Sequence, residues 1–353
     1  MLTTISGQLG IDEDLPIVDA DLHVSPPEDT LREHLPERFR RKGFSVPDGN
    51  WSSPAGNVRD DVSQNADPEV IARNHLDAAD IEHAVLTPAE PILRTAVQPD
   101  RRYAAALTSA YNDWLLNDFL GSYDRLAASI AVASIAPEDA AAEIRRLGDR
   151  PDVVQVSMGG ATNIALGEER YWPIYEAAVE QGLPVALHSG TEGYGIANAN
   201  TGAGYPSTYL EAYSVTPANA MGQLLNLLLE GPFVEFSNLR MVFSGMGYSW
   251  IPSFLWRIDK MWQGLTDDMP WVERPPSEYV REHMRFVTHP IDEADDPEYT
   301  RKLLEMLHAE ETLMFGSNYP HWDSYAPGDD LPKLDPRMAR SIFGETAANL
   351  YGL

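Results

Sequence analysis

Two potential metal ligands stand two residues apart near the start of the chain. Asp21 and His23 lie at the end of the apolar segment Ile17–Val24, and side chains two apart on an extended strand point to the same face. A carboxylate and an imidazole directed into one space can bind a divalent ion such as Zn, Mn or Fe. The pattern D-x-H is also common without a metal, so it predicts a metal site only if other strands end in ligands.

Other histidines also follow apolar segments. His188 ends one segment, His289 follows a second, and His321 comes three residues after Asn318, which follows the last. The convergence of His188 with Asp21 and His23 predicts a three-ligand metal site without thiolates, since the chain has no Cys. A structural role is expected for the remaining histidines, which are His34, His75, His83, His283 and His308.

The ligands stand at the ends of short apolar segments that alternate with amphipathic, Ala-rich ones. This alternation is typical of parallel βα units, and it predicts an α/β fold, a (β/α)8 TIM barrel, as one domain over residues 1–353. An irregular loop excursion over residues 25 to about 68 follows the first strand. The active site of such a barrel lies at the carboxyl ends of the strands. The predicted strands are 17–24, 83–87, 126–133, 153–158, 184–188, 240–244, 284–288 and 312–315.

Composition excludes several classes of partner. The formal charge of −28, from 54 acidic and 26 basic residues, argues against nucleic acid and anionic membranes. The first twenty residues lack the pattern of a secretory signal, and no apolar run is long enough to span a bilayer. The expected location is therefore the cytoplasm. The pair Gly159 and Gly160 does not continue into a dinucleotide-binding fingerprint.

Several longer motifs resemble a known family. They are DLH at 21–23, YWPIYE at 171–176, LPVALH at 183–188, GYSWIP at 247–252, RID at 257–259 and FGSNYPHWD at 315–323. Together they resemble the amidohydrolase-related family that includes aminocarboxymuconate semialdehyde decarboxylase, over nearly the whole chain. The resemblance implies a TIM barrel whose metal ligands are Asp21, His23 and His188, with the eighth-strand position at Asn318.

Two departures from the family pattern bear on the chemistry. The family usually has Asp where this chain has Asn318, and an amide cannot serve as a general base near neutral pH. The family also commonly has an acidic residue or His after the sixth strand, where this chain reads SGMG at 244–247.

These departures favour a divergent branch of the family. The chain resembles the TIM-barrel nonheme diiron monooxygenases of platensimycin and platencin biosynthesis. That resemblance implies two irons, O2, an electron donor, and hydroxylation of an unactivated C–H bond in a bulky apolar, CoA-linked substrate of diterpenoid type. Asn318 and His321 are then the catalytic residues. The ligands expected to complete the metal site are Glu192, His289, Asn318 and His321.

The monooxygenase hypothesis also assigns substrate contacts. The long polar loop over residues 189–216 is expected to enclose the substrate. The residues predicted to contact the substrate are Tyr194, Tyr205, Tyr209, Tyr213 and Met246. The only dense basic cluster, a potential site for the CoA phosphates, consists of Arg38, Arg40, Arg41 and Lys42.

Two other hypotheses remain open. The first is the family's ordinary chemistry, a Zn- or Mn-dependent hydrolase or nonoxidative decarboxylase acting on a small carboxylate. The second is a noncatalytic barrel that keeps its ligands as a relic or only binds a ligand. A homodimer is a further expectation from the resemblance.

Overall fold

Eight parallel strands form the centre of the chain. A computed structural model describes residues 16–42, 45–47, 51, 67–121, 123–329 and 331–353. The strands pair in sequence order from β1 to β8, each parallel to the next. They are β1 Ile17–Val24, β2 Ile81–Pro88, β3 Leu126–Ala131, β4 Val153–Gly159, β5 Val185–His188, β6 Met241–Ser244, β7 Met284–Val287 and β8 Leu313–Met314.

The segment that follows β8 closes the barrel against β1. The Ala20 amide donates to the Phe315 carbonyl at 2.9 Å, and the His23 amide donates to the Tyr319 carbonyl at 2.7 Å. In the other direction, the Asn318 amide donates to the Asp21 carbonyl at 3.0 Å. The predicted (β/α)8 barrel is confirmed, and its closure places the segment after β8 directly beside the ligands of β1.

Helices cover the outside of the barrel. Many begin with Pro in the first turn, where its missing N–H and fixed φ fit the helix start; Pro297 follows Asp296, whose side chain accepts from the Glu298 amide at 3.0 Å. The α-helices are Glu28–His34, Glu37–Arg40, Pro68–Ile71, Glu90–Leu93, Arg101–Trp114, Pro137–Leu147, Trp172–Gln181, Tyr209–Ser214, Thr216–Glu230, Pro232–Glu235, Ile251–Trp262, Pro276–His283, Pro297–Leu307, Ala309–Thr312, Pro336–Arg340 and Thr346–Tyr351.

A register shift in β1 directs its ligands into the barrel. One buried apolar cluster takes side chains from every strand and from the C-terminal helix, and so fills the barrel; Val18 and Ala20 belong to it. Leu22 and Val24 belong instead to the larger cluster that packs the helices. The pairing with β2 shifts register between Asp19 and Leu22, and such bulges re-aim side chains near functional sites. The shift lets Asp21 follow Ala20 into the interior.

The described parts of the two long connections contain helices that the sequence does not predict. The excursion after β1 contains the helices Glu28–His34 and Glu37–Arg40, while 43–44, 48–50 and 52–66 lie outside the described residues. The loop after β5 contains the helix Tyr209–Ser214. Among the described residues, no helix has the length and apolar composition needed to cross a membrane.

Candidate metal centre

Three ligands meet at the carboxyl end of the barrel. Among the described residues, Asp21, His23 and His188 form the one group of three or more His, Asp and Glu side chains whose ligand atoms all lie within 4.8 Å of one another. Nε2 of His23 is 3.4 Å from Oδ1 of Asp21, and Nε2 of His188 is 3.3 Å from Oδ2. All three side chains are buried.

Hydrogen bonds to the backbone fix both imidazoles. Nδ1 of His23 lies 3.3 Å from the Pro88 carbonyl, and Nδ1 of His188 lies 2.9 Å from the Ser189 carbonyl. A carbonyl can only accept, so each Nδ1 carries a hydrogen, and the Nε2 of each ring faces the Asp21 carboxylate at the centre of the site. The Ser244 hydroxyl donates to Oδ2 of Asp21 at 2.5 Å and orients the carboxylate.

The donor atoms fit a divalent cation. Oδ1 of Asp21 and Nε2 of His23 are buried and have no hydrogen-bond partner within the described part of the chain, and each such atom costs about 1–3 kcal/mol if it stays unpaired. Burial lowers the pKa of His23 well below its usual value, which keeps the ring neutral. Burial alone would raise the pKa of Asp21, but the neighbouring His188 and His23 lower it further than burial raises it. An ionised carboxylate and the Nε2 atoms of two imidazoles are ligands that suit Zn, Mn or Fe.

Gly245 explains why this chain has no acidic residue or His directly after Ser244 at the end of β6. Its φ is +70°, which disfavours any side chain. A Cβ there would also lie 2.4 Å from Oγ of Ser189 and 3.1 Å from Cε1 of His188. Ser189 and the ring of His188 therefore occupy the space that a side chain at this position would need.

The amide of Asn318 lies in a buried polar network. Its Nδ2 donates to Oδ1 of Asp323 at 2.8 Å and lies 3.0 Å from Nε2 of His289. The Tyr213 hydroxyl donates to Oδ2 of the same carboxylate. Burial alone would raise the pKa of Asp323, but its hydrogen bond and charge interaction with His289, together with Tyr213, hold it below its usual value.

Nε2 of His289 lies between a carboxylate and a side-chain amide. Its Nε2 lies 3.2 Å from Oδ2 of Asp323, which favours a hydrogen on that nitrogen, and 3.0 Å from Nδ2 of Asn318, which favours a lone pair. Its buried Nδ1 has no hydrogen-bond partner in the described ranges. These contacts connect the ring of His289 to both Asn318 and Asp323.

The other predicted ligands surround the three-ligand group without joining it. The ring of His321 packs edge-on against that of His23, with centroids 4.8 Å apart. The Glu192 carboxylate accepts from the amides of Gly190 and Thr191 at 2.8 and 3.0 Å, and burial raises its pKa. A metal-binding role for Glu192, His289, Asn318 and His321 stays a prediction.

A small cavity of about 70 Å³ lies beside the site, and three of the five predicted substrate residues line it. Tyr194, Tyr209 and Tyr213 form part of its wall, and the rings of Tyr209 and Tyr213 stack with centroids 5.6 Å apart. Tyr205 is 61% exposed and does not line this cavity. Met246 is also outside the lining and is buried, with its methyl group close to Gly160.

Most side chains of the basic cluster already have hydrogen-bond or ion-pair partners in the same chain. Arg40 donates to the Leu35 and Glu33 carbonyls, Arg41 pairs with Glu37 at 3.2 Å, and Lys42 pairs with Asp100. Arg38 stacks over the ring of Phe39 at 4.8 Å. These contacts give the cluster a local structural role in the excursion after β1.

Comparisons with known proteins identify the family. The family model described as amidohydrolase matches residues 18–353, so the chain belongs to the amidohydrolase family. It is 24% identical to gamma-resorcylate decarboxylase of Rhodococcus jostii (strain RHA1) over 306 residues, which covers 82% of this chain and 87% of that protein.

Solved structures share the fold over their full length. An amidohydrolase of Mycobacterium avium subsp. paratuberculosis K-10 superimposes with a TM-score of 0.72 at 18% identity, over 96% of this chain and 100% of that one. A dihydroxybenzoic acid decarboxylase of Polaromonas sp. JS666, with bound manganese and the inhibitor 2-nitroresorcinol, gives 0.69 at 18% identity, over 96% and 97%.

These relatives correct the predicted activity. They include decarboxylases of aromatic carboxylates, which are lyases and not oxidoreductases, so the expectation of a diiron monooxygenase is wrong. They give no support to a CoA thioester, O2 or an electron donor as partners, or to a pair of irons, whereas manganese is present in one of them. The likeness that suggested the monooxygenase rested in part on the absence of Asp at position 318, and the structure shows a carboxylate, Asp323, in contact with that position.

Proposed function

We propose that the protein is a nonoxidative decarboxylase of a small aromatic carboxylate that depends on a divalent metal, with manganese favoured. The observation that carries the proposal is the buried group of Asp21, His23 and His188, in which two donor atoms have no partner in the described residues. Membership of the amidohydrolase family and the similarity to decarboxylases support it.

Asp21, His23 and His188 would hold the metal through one carboxylate and two Nε2 atoms. When bound, the cation would supply a positive charge against which an anionic substrate binds. The stacked rings of Tyr209 and Tyr213 form a wall on which an aromatic substrate can pack. The small volume of the neighbouring cavity favours a single-ring substrate.

Decarboxylation also needs a proton donor. A proton adds to the ring carbon, the bond from that carbon to the carboxylate breaks, its electron pair stays on the ring, and CO2 leaves. The amide of Asn318 cannot supply this proton. We assign this role to His289, whose Nε2 lies 3.2 Å from Oδ2 of Asp323 and 3.0 Å from Nδ2 of Asn318.

An activity assay tests the proposal. Protein loaded with manganese and freed of excess metal is incubated anaerobically with 2,6-dihydroxybenzoate and related 2-hydroxybenzoates, and released CO2 and the phenol product are measured. We expect turnover that is lost in Asp21→Asn and kept in His34→Gln, an outer histidine that pairs with Asp118 at 2.9 Å.

The role of His289 has its own readout. General acid catalysis typically contributes 10²–10⁴-fold, so His289→Ala should lower kcat by about that factor while leaving the metal content unchanged. Folded, manganese-loaded protein that releases no CO2 from any of these carboxylates would overturn the proposed function. A kcat in His289→Ala equal to that of the wild type would overturn only the assignment of the acid.

A further inference from the structure

A second charged cavity lies at the opposite end of the barrel from the metal centre. Its volume is about 510 Å³. Arg240 directly precedes β6 and Arg285 is the second residue of β7, so both lie at the amino ends of strands. Residues of the last helical segments, among them Ser341, Thr346 and Asn349, complete the wall.

Most of the other charges around this cavity are already paired. Arg281 binds Glu311 through Nε and Nη2, with N–O distances of 2.7 to 3.1 Å. Glu345 accepts from Arg340 at 3.2 Å. Glu310 also lines the cavity, and it is the one acidic group of the lining for which the described residues show no ion pair.

Arg240 and Arg285 differ from the other arginines of the cavity. Neither has a carboxylate within ion-pair distance among the described residues. Nη1 of Arg285 donates to the carbonyls of Arg281 and Met284 at 3.1 and 2.8 Å. Nη1 of Arg240 donates to two carbonyls just before β6 at 3.2 and 3.0 Å, and lies 3.4 Å from Nδ1 of His283. The remaining guanidinium nitrogens of both have no hydrogen bond in the described structure.

The two side chains line the same cavity, and their charges interact. Arg285 pairs in register with Val242, two residues after Arg240 on the neighbouring strand. Burial lowers the pKa of Arg285, the charge of Arg240 lowers it further, and the charge of Glu311 raises it. Two partly buried like charges without a direct ion pair are unfavourable. The lack of an ion pair at Arg240 and Arg285 among the described residues is informative, because carboxylates are abundant in a chain of net charge −28.

We infer that this cavity binds a phosphate group between Arg240 and Arg285. The planar guanidinium presents its donors in a fork that matches phosphate oxygens. A dianion would neutralise the pair, and Ser341, Thr346 and Asn349 offer further donors from the wall. The site is separate from the metal centre and does not depend on the proposed decarboxylase activity.

Calorimetric titration of the metal-loaded protein tests this inference. Inorganic phosphate and glycerol phosphate are titrated at constant ionic strength into the wild type, Arg240→Gln, Arg285→Gln and the control Arg301→Gln. Arg301 is a surface arginine that pairs with Glu298 at 3.1 Å. We expect one saturable site in the wild type and in the control, with affinity at least tenfold weaker in both cavity variants.

The outcomes distinguish two kinds of phosphate ligand, and they distinguish binding in this cavity from binding at the metal centre. Tighter binding of glycerol phosphate would identify a phosphorylated metabolite as the ligand, and tighter binding of inorganic phosphate would identify the free ion. Phosphate at the metal centre would bind equally in all four proteins, and that result, or the absence of saturable binding in the wild type, would overturn the inference. If Arg285→Gln does not fold, the comparison of Arg240→Gln with Arg240→Lys tests the inference. Lysine keeps the positive charge but lacks the forked donors of the guanidinium, so both variants should bind phosphate more weakly than the wild type.

Discussion

Replacing Asn318 by Asp should create a strained carboxylate pair in the buried network. Nδ2 of Asn318 lies 2.8 Å from Oδ1 of Asp323, so Asn318→Asp exchanges a donor for a second acceptor at the same distance. At an effective dielectric constant of about 20, two full charges 2.8 Å apart repel by about 6 kcal/mol. The pair can avoid that cost only by keeping a proton, so one carboxyl of the variant should have a raised pKa.

The sign of the pH dependence follows from that raised pKa. A carboxyl that holds its proton in the folded state contributes no penalty below its unfolded pKa of about 3.9. As the pH rises above that value, keeping the proton costs about 1.4 kcal/mol per unit, up to the ceiling set by the repulsion. The variant should therefore be close to wild-type stability near pH 4 and should lose stability relative to wild type as the pH increases.

Urea-induced unfolding at pH 5 and pH 8, followed by circular dichroism, measures this difference. We expect Asn318→Asp to be destabilised by about 2–4 kcal/mol more at pH 8 than at pH 5, below the full repulsion because the pair can keep a proton. Asn198→Asp adds the same charge at an exposed position and should show little change. The exchange Asn318→Asp with Asp323→Asn restores one donor and one carboxylate and should recover most of the loss. Equal stability of Asn318→Asp and wild type at both pH values would refute the contact between the two side chains.

Three further perturbations test the site. Asp21→Asn should lower bound manganese at least tenfold by elemental analysis after gel filtration, since it removes the only anionic ligand of the group; a full metal content would contradict the assignment. Tyr213→Phe removes a hydrogen bond to the Asp323 carboxylate and should cost about 1–3 kcal/mol in the free energy of unfolding, which thermal or urea unfolding would detect and an unchanged stability would disprove. Burial raises the pKa of Glu192, so the wild type should lose stability relative to Glu192→Gln as the pH rises above about 4.3. Urea unfolding of both proteins at pH 4.5 and pH 8 measures this, and a stability difference that is the same at both pH values would exclude it.

The sequence predicts the barrel well because its signals are local. Alternating apolar and amphipathic segments require only short-range patterns, and the strand β1 is found with the predicted bounds. The candidate ligands Asp21, His23 and His188 could be identified from the sequence for the same reason, since each stands at the end of an apolar segment. The register shift between Asp19 and Leu22 could not be predicted from the sequence, because it depends on pairing with β2.

The hydrogen-bond network around Asn318 shows a second limit of prediction from the sequence. Asp323 lies five residues after Asn318 and was visible in the sequence, but nothing local shows that the chain folds back to bring the two side chains together. His289 comes from the segment after another strand, and Tyr213 comes from the loop after β5. The one local signal was the spacing of Asn318, His321 and Asp323, which pointed to the correct segment but not to the partners.

The position of Asp323 changes the meaning of the asparagine at 318. Read alone, Asn318 indicates the loss of an acid and favours a change of chemistry. In the folded chain the amide binds a carboxylate and lies beside an imidazole, so the site keeps an ionised acid and a titratable ring, supplied by the segments after β7 and β8. Gly245 accounts for the other departure, because a Cβ there would meet Oγ of Ser189 and the ring of His188. The chain thus places acid–base groups close to Asp21, whose carbonyl accepts from the Asn318 amide, and the proposed decarboxylation requires such groups.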